Sequence, residues 1–336
     1  MQCGVSRLNA RNICGLIALD KMSLEQRWCT FQAPVRYHVA ATTHPPRRAP
    51  RPRSGLMPVL RVLSLLPLPV LYALFGLLMP LVRLFGWRHG LLAANLERCF
   101  PERSASERRM IERDFYAYLG ELTAEVMHAG RISADELADR VRLANPEVVQ
   151  DLLDTNKRVL ILAAHHCNWE WLLLRASSYF SEPLVAAYKP ASREAPDRLL
   201  LAMRRRFGAT LVPAKQIVQH LLEQRGKVRL LALNADQSPA TGNDQQSWLP
   251  FFGQETSFYR GPGWISTKMG YHVFLAAMRR ERRGHYTVEF LPLAAAGKGA
   301  EPETVLLAYS QVLEQHVRHY PVEYFWAYKR WKRGKR

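Results

Sequence analysis

The sequence is short of acidic residues and lacks paired cysteines, nucleotide-binding loops and the common hydrolase signatures. Its 29 Asp and Glu face 47 Lys and Arg, a formal charge of +18. A surplus of that sign favours polyanionic partners: nucleic acid, an anionic membrane, a phosphorylated lipid or an acidic protein. The five cysteines (Cys3, Cys14, Cys29, Cys99 and Cys167) are odd in number and widely spaced, with no CxxC and no finger-like Cys/His spacing. That pattern fits free thiols in a reducing compartment and argues against structural zinc. GPGWIS has two of the three glycines of a dinucleotide fingerprint and follows no evident strand, and GKGA lacks the hydroxyl of a P-loop. Neither a GxSxG elbow nor an HExxH pair is present, which removes two large hydrolase classes.

What is there divides into three parts. Residues 1–56 carry nine Lys/Arg against two acids and end in HPPRRAPRPRSG, with no apolar periodicity long enough to bury a face. They read as an extension outside the fold: a transit-like leader, or sequence upstream of a true start at Met57. Residues 57–90 contain a run from Val62 to Val82 with 21 residues and no charge. About 20 apolar residues span a bilayer as a helix, and Arg61, Arg83, Trp87 and Arg88 suit its headgroup flanks. Pro67, Pro69 and Pro80 remove helix hydrogen bonds, so this membrane anchor is expected to be kinked or interfacial. A buried core hairpin is the plainer reading of the same run.

Residues 91–336 read as one domain. Two helical stretches come first, the second capped by Ser104 or Ser106, with Met110, Phe115, Leu119, Leu122 and Val126 as a packing stripe. Beyond Asn145, strand patterns (RVLILAA, LVAAY, KVRLLALNA, HVFLAAM, YTVEFLPL) alternate with helical ones. Several strands are unbroken apolar runs, as expected when both faces of a sheet are covered. The expected class is α/β, a mixed and largely parallel sheet flanked by helices, preceded by an N-terminal membrane helix. The tail YFWAYKRWKRGKR interleaves aromatics with six basic residues in its last ten. Trp326 and Trp331 there suggest a headgroup-level contact, and Arg204–Arg206 suggest either an anion-binding patch or a solvated helix face.

One short stretch carries chemistry: VLILAAHHCNWEW, a strand running into a helix with two histidines at the joint. His165 and Glu170 form an HxxxxE pattern, of which about one is expected by chance in a chain of this composition. Context adds specificity. Ligand sites of open α/β sheets lie at the carboxyl ends of strands, Asn168 is a fitting N-cap, and Glu170 falls in the first helical turn. An imidazole beside a carboxylate can serve as a general base, the acid fixing its tautomer. The alternative is a buried histidine pair satisfied by backbone carbonyls. In another register the stretch approximates HHxxxD, with His166 as base, but Glu170–Trp171 stands where that motif needs Asp-Gly.

The HHCNWEW stretch resembles the bacterial lipid A late acyltransferases, within the wider lysophospholipid acyltransferase superfamily. NLERCFPE, AAYKP, NADQSP, LPFFGQETSFYRGP and YPVEYFWAYKRWK follow the family's order over residues 57–333. The resemblance implies a glycerolipid-acyltransferase-like fold. It also implies transfer of a fatty acyl group from acyl carrier protein to a hydroxyl of an anionic glycolipid, at the cytoplasmic face of a bacterial inner membrane. His165 would be the base and Glu170 its partner, with Asn168, Lys189, Asp236, Gln237 and Arg260 at the substrates. Lys189 stands where the family usually has Arg, and a Lys cannot reproduce a bidentate clamp. A thioester is already activated, so no cofactor and no metal is expected; the reaction needs a base and oxyanion donors. A lysophospholipid or an aminolipid is the alternative acceptor. A nucleic-acid-binding protein is the rival from charge alone, but no binding motif supports it and it leaves the uncharged run unexplained.

Overall fold

The computed structural model describes residues 62–190, 194–239, 245–293 and 301–331. The N-terminal extension expected over 1–56 lies outside them. In chain order the elements are α1 (Leu68–Leu84), α2 (His89–Cys99), α3 (Ala105–His128), α4 (Ala134–Arg140), β1 (Val141–Leu143), α5 (Glu147–Asp154), β2 (Arg158–Ala163) and α6 (Trp169–Tyr179). There follow β3 (Leu184–Tyr188), α7 (Glu194–Arg204), β4 (Thr210–Pro213), α8 (Ile217–Glu223), β5 (Leu230–Asn234), β6 (Gln246–Phe251) and β7 (Gln254–Tyr259). The last are α9 (Gly261–Met269), β8 (Tyr271–Arg282), β9 (His285–Pro292) and α10 (Pro302–His319).

Seven strands form one sheet in the order β1-β9-β8-β2-β5-β3-β4. Every neighbouring pair is parallel except β8–β9. Side chains alternate across it. Leu160 and Leu162 of β2 share one core with Leu231, Leu233, Val273 and Leu275 and with Val305, Tyr309 and Leu313 of α10. Val159 and Ile161 face the other core, with Leu230, Phe274 and Trp171 and Leu174 of α6. Both faces being covered, the central strands need apolar residues at consecutive positions. Each fully buried Leu or Ile contributes about 1.5–3 kcal/mol.

α1 buries only Leu68, Leu71 and Met79. It lies against α3 so closely that a Cβ at Gly120 would come within 2.6 Å of Met79 Cγ. Its other face exposes Val70, Leu74, Leu77, Leu78, Leu81 and Leu84. The uncharged run is therefore not one straight span. Pro67 stands at the start of α1, and the chain turns through Gly86 and Arg88, both at positive φ, into α2 at 86°. Among the described residues no single helix is long and apolar enough to cross a membrane; the bent α1–α2 pair passes by length and composition.

Ser104, rather than Ser106, caps α3, in a box closed by Glu107. Phe115 and Leu122 of the expected stripe are buried, whereas Met110 is exposed. GPGWIS does follow a strand, contrary to the sequence reading. That strand is β7 of an antiparallel hairpin with β6, not the first strand of a parallel βαβ unit. The tail also differs from expectation. Trp326 is only 1% exposed and packs edge-on against Phe100 and Phe252, so it cannot make the expected headgroup contact. Trp331 stacks on Phe251 and donates to Thr256 Oγ1 at 2.9 Å. Two Asn95 bonds, to the carbonyls of Trp326 and Tyr328, fasten the tail to α2.

Candidate active site

Neighbouring parallel strands β2 and β5 pair Ala163 with Asn234 at their carboxyl ends. The two chains leave the sheet side by side, so His165 and Asp236 meet although 71 residues separate them. Asp236 Oδ1 lies 2.7 Å from His165 Nδ1, and Oδ2 accepts from the His165 backbone N–H at 3.1 Å. A carboxylate held at both oxygens accepts the hydrogen bond of Nδ1–H, which puts the imidazole lone pair on Nε2. The Gln237 amide nitrogen stands 3.2 Å from that Nε2.

The electrostatics match this arrangement. Burial disfavours the protonated imidazole, but the Asp236 carboxylate outweighs it and lifts His165 above its ordinary value. Burial would likewise raise Asp236, and His165 with its two hydrogen bonds holds it below the carboxylate range instead. The pair is thus poised to take a proton at Nε2 and to stabilise the resulting imidazolium.

The carboxylate touching His165 is therefore that of Asp236, where HxxxxE spacing had put Glu170. Glu170 is turned to a different partner. Arg204 grips it with Nε to Oε2 at 2.8 Å and Nη2 to Oε1 at 2.5 Å. It acts on the imidazole only through its charge, opposed by that of Arg204. A helical first turn points a side chain back over the strand end, but its reach was taken by a cation from α7. The Arg204–Arg206 run is consequently structural in part, since Arg206 also donates to the carbonyls of Ala129 and Ile132.

His166 answers differently from His165. It is buried, with its ring nitrogens at 3.1 Å from the Met278 carbonyl and 2.9 Å from that of Tyr320. Burial and the adjacent His316 push it down to about 3. It is a neutral packing group. Cys167 occupies the turn at φ 53°, fully buried, with its thiol donating to Met278 O at 3.2 Å. Burial pushes that thiol well above its usual range, away from thiolate chemistry.

The remaining expected residues separate. Asn168 is buried and spends both ends of its amide on the fold: Oδ1 caps α6 at Trp171 N, and Nδ2 donates to Glu125. Lys189 is exposed just beyond the carboxyl end of β3, on the site's edge of the sheet. Arg260 pairs with Glu303 at 2.9 Å and does not line the cleft at His165. That narrow cleft is walled by His165, Asp236, Gln237, Tyr324, Phe325 and Arg330, among others. The tail closes it. Cys167 N–H donates to Glu323 O, and Phe325 N–H to His165 O at 2.9 Å, so the site turn pairs with the tail as a strand would. Arg330 and Tyr324 were not singled out from sequence. Both lie in the YPVEYFWAYKRWK segment of the resemblance, but its aromatic-basic composition reads more readily as surface.

Comparison with known proteins gives two findings. A family described as bacterial lipid A biosynthesis acyltransferase matches residues 54–333. The chain is also similar to the lipid A biosynthesis lauroyltransferase of Escherichia coli (strain K12), 25% identical over 279 residues, covering 82% of this chain and 89% of that protein.

Proposed function

Since the chain belongs to the bacterial lipid A biosynthesis acyltransferase family, we propose that it moves a fatty acyl chain from acyl carrier protein to a hydroxyl of a lipid A precursor or related glycolipid. The observation that carries this reading is the His165–Asp236 pair, with Nε2 turned to the Gln237 amide at the carboxyl edge of the sheet. The acceptor hydroxyl takes the place of the Gln237 amide at Nε2. As its oxygen attacks the thioester carbonyl, Nε2 accepts its proton and Asp236 stabilises the imidazolium. The tetrahedral oxyanion then collapses, the C–S bond breaks, and the imidazolium returns the proton to the leaving thiolate.

Transfer is direct. The thiol of Cys167, two residues from His165, is spent on Met278 O and is itself fully buried. The exposed apolar face of α1, with Arg83, Trp87 and Arg88 at its end, supports seating at the inner membrane's cytoplasmic face, where carrier protein and lipid meet. Lys189 supports a single-point contact with an acceptor phosphate rather than a fork. The test is acyl transfer in membranes carrying the full chain, supplied with several acyl carrier thioesters and a tetra-acylated lipid A precursor. Product that disappears in His165→Ala and persists in His166→Phe supports the reading. Transfer to a lysophospholipid or an aminolipid but not to the precursor would correct the acceptor. No acyl transfer to any lipid would refute it.

A further inference from the structure

Arg330 is a buried cation that no carboxylate pairs with among the described residues. It is 3% exposed. Its Nη1 donates to Ser238 Oγ at 2.6 Å and to the Ser257 carbonyl at 2.7 Å, and its guanidinium lies over the rings of Phe258 at 4.4 Å and Phe251 at 5.8 Å. Nε and Nη2 have no hydrogen-bond partner among the described residues. Leaving a buried charge without a counter-ion is expensive, so a nearby anion must compensate for it. Asp236 is the carboxylate that shares the His165 cleft with it, and the two charges act on each other there. Both side chains are buried, both line the His165 cleft, and Ser238 stands two residues past Asp236. Ser238 also donates to the Arg330 carbonyl at 2.6 Å, so one hydroxyl ties the Asp236–Ser238 segment to the tail in both directions.

We propose that Arg330 is a positioning residue for the His165–Asp236 pair: a fixed positive charge behind Asp236 that keeps the pair from holding a proton before substrate arrives. This rests on the function proposed above. A buried aspartate at 2.7 Å from an imidazole, left to itself, favours the imidazolium and leaves no base. Arg330 offsets that attraction. With it in place the cleft is near neutral at rest and gains its positive charge only on proton transfer, when the substrate becomes an oxyanion.

The other charged and titratable groups around the pair do not supply this charge. Glu170 and Arg204 neutralise each other at 2.5 Å. Tyr309 and Tyr324 face Asp236 and are pushed well above 10 by burial, so they are neutral. Tyr328 donates to the Ser238 carbonyl at 3.3 Å. His166 is neutral.

The test reads the pair's proton affinity without substrate. The full chain, with Arg330→Met and Arg330→Lys alongside, is treated with diethyl pyrocarbonate across pH, and His165 carbethoxylation is followed by peptide mass spectrometry. Only neutral imidazole reacts. Arg330→Met is expected to raise the midpoint by about one pH unit, the scale of one charge acting through a partly screened interior. The acid limb of the acyl-transfer rate should move with it, the alkaline plateau and the donor KM changing little. Arg330→Lys keeps the charge and must leave the midpoint in place; a shift there overturns the inference even if the Met variant does not fold. An unmoved midpoint in Arg330→Met with a uniform rate loss would mean that Arg330 only packs. An unmoved midpoint with a raised donor KM would make it a contact for a substrate anion instead. Wild-type protein that titrates as expected but transfers no acyl group would sink the proposed function and leave this inference standing.

Discussion

Replacing Asp236 by Asn and Glu170 by Gln, one at a time, decides which carboxylate serves His165. Asp236 lies 2.7 Å from Nδ1 and is 3% exposed, so its charge is poorly screened. With an effective dielectric of 20 and charge centres about 4 Å apart, the attraction for the imidazolium is about 4 kcal/mol. Removing it costs about a thousandfold in rate, and the cost rises toward ten-thousandfold if the Asn amide donates to Nδ1 and drives the proton onto Nε2. Glu170→Gln should do far less to the chemistry. It frees Arg204, whose uncompensated charge disfavours the imidazolium, and about a tenfold loss with lowered stability is expected. The assay is kcat/KM for acyl transfer from carrier thioester, with folding checked by thermal melts. Glu170→Gln as inactive as His165→Ala, beside a nearly active Asp236→Asn, would refute the assignment.

Five further outcomes follow from the same geometry. Because His165 is held above its ordinary 6.5, kcat/KM should rise with pH through a midpoint above 6.5; a midpoint below 6.5 would contradict the pair. The raised His165 also gives folding stability that is full below about 6.5 and lost as pH rises through its folded value, whereas Asp236, held below 3.8, gives stability lost as pH falls through its own. Denaturant titrations of wild type and Asp236→Asn should therefore differ most between those limits. His166, pushed down to about 3, works the other way: the unfolded chain takes up a proton that the folded chain refuses. Stability should fall as pH drops from about 6.5 toward 3, read as Trp fluorescence and reversed in His166→Phe. Cys167→Ser should keep activity within about threefold and show no acyl-enzyme by mass spectrometry, its stability lowered by about 1–2 kcal/mol. Gly120→Ala, which sets a Cβ against Met79 and the Phe75 carbonyl, should destabilise the α1–α3 contact by about 1–3 kcal/mol and be visible in thermal melts.

The elements that the sequence displays are those whose signal is local. β2 is an unbroken apolar run, Asn168 caps α6, and Ser104 with Glu107 caps α3. The elements it hides depend on remote partners. The β6–β7 hairpin turns at Phe252–Gly253, both at positive φ. Such turns are usually marked by Asn-Gly or Asp-Gly, and a Phe in that place gives no local hint. β1, of three residues, is too short to show a period and exists only because β9 lies beside it. The tail misleads for a related reason. Aromatic and basic residues in alternation suit a headgroup layer, but the same residues suit a closing strap when Phe100, Phe251 and Phe252 offer rings to pack against. Composition cannot choose between them.

Glu170 shows why a motif can be right in position and silent on role. Five residues after the imidazole, the first turn of a helix is the place from which a carboxylate can overlook the carboxyl edge of β2. What it meets there depends on the strand order, which no local pattern encodes. Here β5 lies next to β2 and brings Asp236 directly to Nδ1, leaving Glu170 to take the Arg204 guanidinium at the end of α7. The ion pair then fastens α7 over the site, its two members acting on His165 in opposite senses: Glu170 raises the imidazole and Arg204 lowers it. Reversing the charges, with Glu170→Arg and Arg204→Glu together, should therefore restore much of the folding stability that either single change removes. If the double variant also recovers acyl transfer to within about tenfold, Glu170 is a brace, because a carboxylate acting on His165 could not be replaced by a guanidinium. Recovery of folding without any recovery of transfer would return the catalytic role to Glu170.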